Sequence, residues 1–166
     1  MKKTLIISLA LLSYILFAQS TKETKINWIP LKKAKTLAQK YDGKILIFFY
    51  KDNCEYCEKM KKETLSDPTV INIINNNFFP VKIDSRTKDT IMYNGKAYGN
   101  QQPASSGRHD WRHDFYAEVA AFERNGNSQI TTPCIVLFNN KFEKIANMPG
   151  SIPKEYLPRR LKQYLK

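Results

Sequence analysis

The sequence predicts an α/β fold, a central mixed β-sheet flanked by helices on both faces. Three observations carry this expectation. KILIFFY at Lys44–Tyr50 is a continuous apolar run of strand length, the signature of a strand buried on two sides. Amphipathic runs of helical period alternate with such strands. The chain then closes with a strand pair and a final helix, so the order is helix, strand, helix, strand, an irregular polar stretch, helix, strand, strand, helix.

The elements follow in order. Leu31 to Tyr41 places Leu31, Ala34, Leu37, Ala38 and Tyr41 at helical spacing, and Asp42-Gly43 ends it. The preceding INWIP is either a short strand or a docking segment. After the Lys44–Tyr50 strand, Cys54 to Leu65 reads as a helix with Cys57, Met60 and Leu65 inward. Asp67-Pro68 starts a second helical piece, with Asp67 as N-cap and Pro68 at its first position. FFPVKID is the next strand.

Residues 85–107 are polar and irregular, except that TIMYNGKAYGN has the Asn94-Gly95 turn of a tight hairpin. Arg108 to Arg124 reads as one helix with Trp111, Phe115, Val119 and Phe122 on a shared face, stopped by Asn125-Gly126. TTPCIVLF is a strand entered through Pro133, with KFEKIANM as its antiparallel partner. Pro153 to Lys166 is a closing amphipathic helix carrying Tyr156, Leu157, Leu161, Tyr164 and Leu165.

At 166 residues with 42% hydrophobic content, the chain fits one ordinary domain with a packed core, and disorder is excluded. Residues 1–18 read as a secretory signal peptide: Lys2 and Lys3, an apolar run from Leu5 to Phe17, then Ala18 as the small residue before cleavage. The competing reading is an uncleaved anchor, for which the run is short. Residues 19–25 form a polar mature start, so the domain proper is 26–166 and its location periplasmic or secreted. Removing the signal takes the 27 basic residues to 25 against 15 acidic ones, a net charge of +10. The lysines are spread along the chain without an aromatic-basic block, which argues against a nucleic-acid partner. Three cysteines are too few for a disulfide scaffold, so a close pair plus an odd one points to chemistry or packing.

The pair lies in KDNCEYCEKM. Cys54 follows a buried strand and opens a helix, where unpaired N–H groups and the helix dipole favour a thiolate. Cys57 is one turn away, placed to resolve a mixed disulfide formed at Cys54. Pro133 is unusual at the start of a central strand, because it cannot donate to the ladder. A cis Thr132–Pro133 bond accounts for it and leaves the Thr132 backbone free to pair with an extended substrate.

These segments, ILIFFYKDNCEYCEKM, DPTVINIINNNFFPVKID, TTPCIVLF and NMPGSIPKEYLPRRLKQYL, together resemble the thioredoxin superfamily, and most closely its exported bacterial members. The resemblance covers roughly residues 26–166, with 85–107 as an insertion before the helix that precedes the cis-proline strand. It implies a thioredoxin-like fold, Cys54 as nucleophile, Cys57 as resolving cysteine and Pro133 as the neighbouring cis-proline. It also implies a thiol-disulfide oxidoreductase that needs no cofactor, acts on protein disulfides and is reset by a membrane or periplasmic redox partner. A monomer is expected, since no dimerisation region is visible.

The sequence departs from the pattern in three places. Thioredoxin has Trp-Cys-Gly-Pro-Cys, and here Asn53-Cys54-Glu55-Tyr56-Cys57 stands instead. The buried Asp of thioredoxin is replaced by Phe48, and its buried Lys by Pro80. The usual proton acceptor for the resolving thiol is therefore missing, leaving Glu55, Glu58 or water. Glu55 beside Cys54 also opposes the thiolate, which leans toward reductase or isomerase work. The Tyr56-Cys57 ending is similar to glutaredoxins and periplasmic disulfide isomerases.

Other classes stay open. Half a structural zinc site would need ligands from Cys134, His109 and His113. A copper-handling chaperone would use Cys54, Cys57 and a third ligand. A non-catalytic binding module would use the 85–107 segment and the basic surface. Cys134 alone is expected to be a small buried side chain. His109 and His113 lie four apart on the predicted helix, which is either metal-ligand spacing or a solvated polar face.

Overall fold

The computed structural model describes residues 23–107 and 110–165. The predicted signal peptide lies outside the described residues, as does His109. Helix α1 (Leu31–Tyr41) leads into strand β1 (Lys44–Tyr50). Helix α2 (Glu55–Lys59) continues into a π-helical turn at Met60–Thr64, followed by α3 (Pro68–Asn77) and β2 (Phe78–Asp84). The hairpin β3 (Ile91–Tyr93) and β4 (Lys96–Tyr98) comes next, then α4 (Asp114–Ala120) and a second hairpin, β5 (Phe122–Arg124) and β6 (Asn127–Gln129). Strands β7 (Cys134–Phe138) and β8 (Lys144–Pro149) and helix α5 (Leu157–Lys162) complete the fold.

The main sheet has the order β2-β1-β7-β8 and is mixed, as expected. Strand β1 runs parallel to β2, with Leu46 opposite Pro80, and antiparallel to β7, with Phe49 opposite Cys134. Residues Ile45 to Phe49 are all buried. Their alternation feeds two cores. Ile45, Ile47 and Phe49 face a cluster with Ala34 and Ala38 of α1 and with Phe115 and Val119 of α4. Leu46 and Phe48 face the other, with Met60, Val70, Ile74, Leu157 and Leu161. Pro80 sits on edge strand β2, where a missing N–H costs no ladder bond. INWIP forms no strand; it docks on that edge, Ile29 N–H donating to the Pro80 carbonyl at 2.9 Å.

Helix α3 starts as predicted. The Asp67 carboxylate accepts from the N–H groups of Thr69 and Val70, and Pro68 occupies the first turn. Tyr41 and Tyr156, expected inward, are both 62% exposed. The closing helix is also shorter than Pro153–Lys166, its regular part being α5.

The largest correction concerns Arg108–Arg124. Among its described residues, only Asp114–Ala120 is helical. At its start, loop side chains satisfy the backbone instead: Gln102 Oε1 accepts from Asp110 and Trp111 N–H, and Asn100 Nδ2 donates to the Trp111 carbonyl. Trp111 is consequently exposed rather than on an apolar helix face. At its end, Asn125 and Gly126 both take positive φ, 54° and 74°, and turn a hairpin where a helix stop was expected. Phe122 belongs to that hairpin. Nor is His113 part of a helical His pair or of a solvated face. It is buried at the N-cap of α4, its Nδ1 accepting from Phe115 N–H at 3.1 Å and its Nε2 donating to the Asp89 carbonyl at 2.8 Å.

The β3–β4 hairpin forms at Asn94-Gly95 as expected. Ile91, Tyr93 and Tyr98 are buried in the first core, and the Tyr93 ring meets Phe115 at 5.3 Å and Phe142 at 5.6 Å, edge-on. His113 ties the approach to this hairpin, through Asp89, to α4. Replacing His113 with Ala removes a helix cap and strands the Asp89 carbonyl. Urea unfolding is expected to show a loss of about 1–3 kcal/mol. A loss within about 0.3 kcal/mol would mean the cap is replaced by water.

Candidate active site

The end of β1 and the start of β7 are neighbours because of the antiparallel register that sets Phe49 against Cys134. The chain leaves β1 at Tyr50 and turns through Asn53, whose positive φ of 53° suits an asparagine. Cys54 is then the N-cap of α2, in extended conformation, and its Sγ accepts from the Cys57 N–H at 3.2 Å. The Cys54 carbonyl takes the Glu58 N–H at 3.0 Å, the first bond of the helix. Cys54 and Cys57 are joined as a disulfide, with Cα atoms 5.2 Å apart.

The two sulfurs are unequal. Cys57 is wholly buried, and Cys54 keeps 6% of its surface exposed. Cys54 Sγ also lies 3.9 Å from the Thr132 carbonyl oxygen. Thr132–Pro133 is a cis peptide, and the Pro133 carbonyl accepts the Gly150 N–H at 2.9 Å, which extends the β7–β8 pairing past the strand ends. Cys54, Cys57, Thr132 and Pro133 are thus brought together.

The matching family model describes a thioredoxin-like domain and spans residues 31–165. The chain belongs to the thioredoxin-like domain family. Among solved structures of this fold, it is similar to a DsbH oxidoreductase (17% identity, TM-score 0.57, covering 89% of this chain and 90% of that one). It is also similar to a thioredoxin from Thermus thermophilus (18%, TM-score 0.55, 84% and 87%) and to a disulphide isomerase from Xylella fastidiosa (14%, TM-score 0.51, 87% and 100%). An uncharacterized protein of Archaeoglobus fulgidus is 25% identical over 85 residues, 51% of this chain and 65% of that protein, under two thirds of its length.

The two positions where the sequence departs from thioredoxin's buried charges, Phe48 and Pro80, are apolar. Phe48 is 1% exposed and packs between Trp28 and Tyr50, ring centroids 6.1 and 6.2 Å away. Pro80 is buried. The acidic residues lie on the surface. Glu55 is exposed, and Glu58 accepts from Lys61 Nζ at 2.8 Å. That hydrogen bond and the Lys61 charge hold the Glu58 carboxyl below its ordinary range. Tyr56 is 64% exposed beside the disulfide.

Cys134 is fully buried, and its thiol donates to Asn147 Oδ1 at 3.0 Å. Asn147 Nδ2 in turn donates to the carbonyls of Ala120 and Ala121 at the end of α4. The odd cysteine therefore anchors Asn147, which ties the end of α4 to β8, and is the small buried side chain expected. Among the described residues, no three His, Cys, Asp or Glu side chains are grouped to hold a metal ion. Sequence reasoning missed Gln102 and Asn100, which organise the loop before α4; the only signal was amide-rich NQQP beside a helix start.

Burial pushes the Cys134 thiol up to about 12, against an ordinary value near 9. The neutral thiol's contribution to stability is complete below about pH 9 and is lost as pH rises toward about 12, since the unfolded chain ionises first. Tyr116, also raised by burial, acts in the same direction. Stability is therefore expected to fall across this alkaline window, with a shallower slope in Cys134→Ala. Equal slopes in urea titrations at graded pH would refute the assignment.

Proposed function

We propose that the protein is an extracytoplasmic thiol-disulfide oxidoreductase that reduces, or isomerises, disulfides of exported proteins. The observation that carries this reading is the Cys54–Cys57 disulfide at the strand-to-helix junction, with the more exposed sulfur against the Thr132 carbonyl. In the reduced form the Cys54 thiolate attacks one sulfur of a substrate disulfide. The substrate S–S bond breaks, its other sulfur leaves as a thiolate and takes a proton, and a mixed disulfide with Cys54 forms. Cys57 then attacks Cys54 Sγ, releasing the second substrate thiol and closing Cys54–Cys57. Two electrons pass from the dithiol to the substrate, and an external dithiol donor returns them.

The geometry supports these roles. The Cys57 N–H and the first turn of α2 stabilise negative sulfur at Cys54. Cys57, closed to solvent, reacts only with a sulfur already bonded to Cys54. Thr132 and Pro133 hold the substrate chain alongside, and Tyr56 offers it an exposed aromatic contact. The proton of Cys57 leaves through water or Glu55, because Glu58 is engaged by Lys61 and Phe48 offers no acceptor. The work site is taken as periplasmic or secreted, supported by the export signal read at residues 1–18. Among the described residues, no helix is long and apolar enough to cross a membrane.

Cys54→Ser is expected to abolish disulfide turnover, while Cys57→Ser accumulates a covalent mixed disulfide visible by mass. Trapping at Cys57 instead would reverse the roles. The reduction potential of the pair is expected at about −270 mV, the thioredoxin range, because Glu55 opposes thiolate at Cys54. A value of about −120 to −180 mV would mark an oxidase or isomerase.

A further inference from the structure

A polar cavity of about 310 Å³ opens beside Thr132, on the flank of the cysteine pair. Lys51, Arg86 and Arg112 line it with Thr132 and Tyr116, and Asp110 is its one acidic residue. The lining charge is thus three positive against one negative. Asp110 is already engaged, accepting from Gln102 Nε2 at 2.5 Å. Among the described residues, none of the three cations enters an ion pair.

The second observation is independent of this charge. Tyr116 is 1% exposed, and its hydroxyl is buried without a hydrogen-bond partner. Buried hydroxyls almost always find one, and Tyr116 is one of the residues that line the cavity, so its unmet hydroxyl points to a missing acceptor on that side. The Arg112 charge acts on the same hydroxyl. A neutral donor and three cations without an ion pair around one space match an acceptor-only anion, which a polypeptide substrate supplies as a carboxylate. Position supplies the rest. Thr132 forms the cavity wall and also presents its carbonyl to Cys54 Sγ, and Lys51 is three residues before Cys54.

We propose that this cavity binds a carboxylate side chain of the substrate polypeptide, an Asp or Glu a few residues from the attacked cysteine. The site thereby selects acidic cysteine-bearing segments. This rests on the oxidoreductase reading for its biological meaning, but its binding is measurable without turnover.

The test uses two peptides that differ only in carrying glutamates or glutamines beside one cysteine, S-methylated so that no exchange occurs. Fluorescence anisotropy with the purified protein should show the glutamate peptide binding about tenfold more tightly at low salt, the scale of one charge-assisted hydrogen bond. Combining Arg86→Gln with Arg112→Gln should bring the ratio close to one. Tyr116→Phe should reduce it severalfold with no loss of thermal stability, since its hydroxyl has no internal partner to lose; this variant decides the matter if the double variant misfolds. Equal binding of the two peptides, or a preference that survives these substitutions, would overturn the proposal. Free succinate binding as tightly as the glutamate peptide would overturn it too, assigning the cavity to a small carboxylate. Turnover of neutral hydroxyethyl disulfide is measured alongside: its absence would sink the oxidoreductase reading alone.

Discussion

Strand β1 is buried on both faces and hydrogen-bonded on both edges, and the rest of the molecule is arranged around that fact. A strand without a solvent face cannot slip by one residue, because each slip would exchange its two sets of side chains between unlike cores. Ile45, Ile47 and Phe49 fit the aromatic cluster under α4 and the β3–β4 hairpin, whereas Leu46 and Phe48 fit the aliphatic cluster under α3 and α5. The C-terminal end of β1 is therefore held in one place relative to β7. Cys54 emerges from that end, and Thr132–Pro133 enters at the matching end of β7. The distance between sulfur and carbonyl is thus a consequence of core packing, and damage to either core should disturb it.

Apolar packing extends to positions where a thioredoxin carries charge. With Phe48 packed between Trp28 and Tyr50, no Asp or Glu is buried among the described residues. A buried carboxylate costs several kcal/mol of desolvation unless it is paired. Phe48 avoids that cost and contributes its own burial. In the proposed reaction the consequence is kinetic: the proton of Cys57 has to pass to the surface. The carboxylates available there are weak bases, and one is already paired. In the proposed reaction, chemistry at Cys54, favoured by the helix start, is separated from proton removal at Cys57, which the core does little to assist.

Much of this was legible in the sequence because the strongest signals are local. Asp67-Pro68 sets a cap, KILIFFY a doubly buried strand, and Asn94-Gly95 a hairpin, each from chemistry within a few residues. The site cysteines and Thr132-Pro133 were legible for the same reason. The Arg108–Arg124 region was not. Phe115 and Val119 have helical spacing, and extending that period to Trp111 and Phe122 was natural. What ends the helix early is long-range: Gln102 and Asn100, from a loop before it, take over backbone groups that a helix would have used. Asn125-Gly126 is consistent with either a helix stop or a hairpin, and flanking contacts decide. His113 was judged by its spacing from His109, but a histidine whose two nitrogens both meet main-chain groups serves as a buried cap.

The correction at His113 changes what residues 85–107 mean. An appended surface loop would leave the core indifferent to it. Here Tyr93 and Tyr98 complete the aromatic cluster, and His113 binds the Asp89 carbonyl, so the segment folds with the domain. Its first residues, Ser85 and Arg86, are placed with equal firmness: Ser85 N–H donates to the Tyr50 carbonyl at 2.7 Å, and the Ser85 carbonyl takes the His113 N–H at 2.8 Å. Arg86 therefore reaches the cavity beside Thr132 from a backbone locked to β1 on one side and to α4 on the other. The base of its side chain is fixed, while its guanidinium stays free to meet the anion proposed for the cavity. In the proposed anion site, the segment contributes by placing the backbone of one cation from within the fold, and a lid over the disulfide is not needed to explain its length.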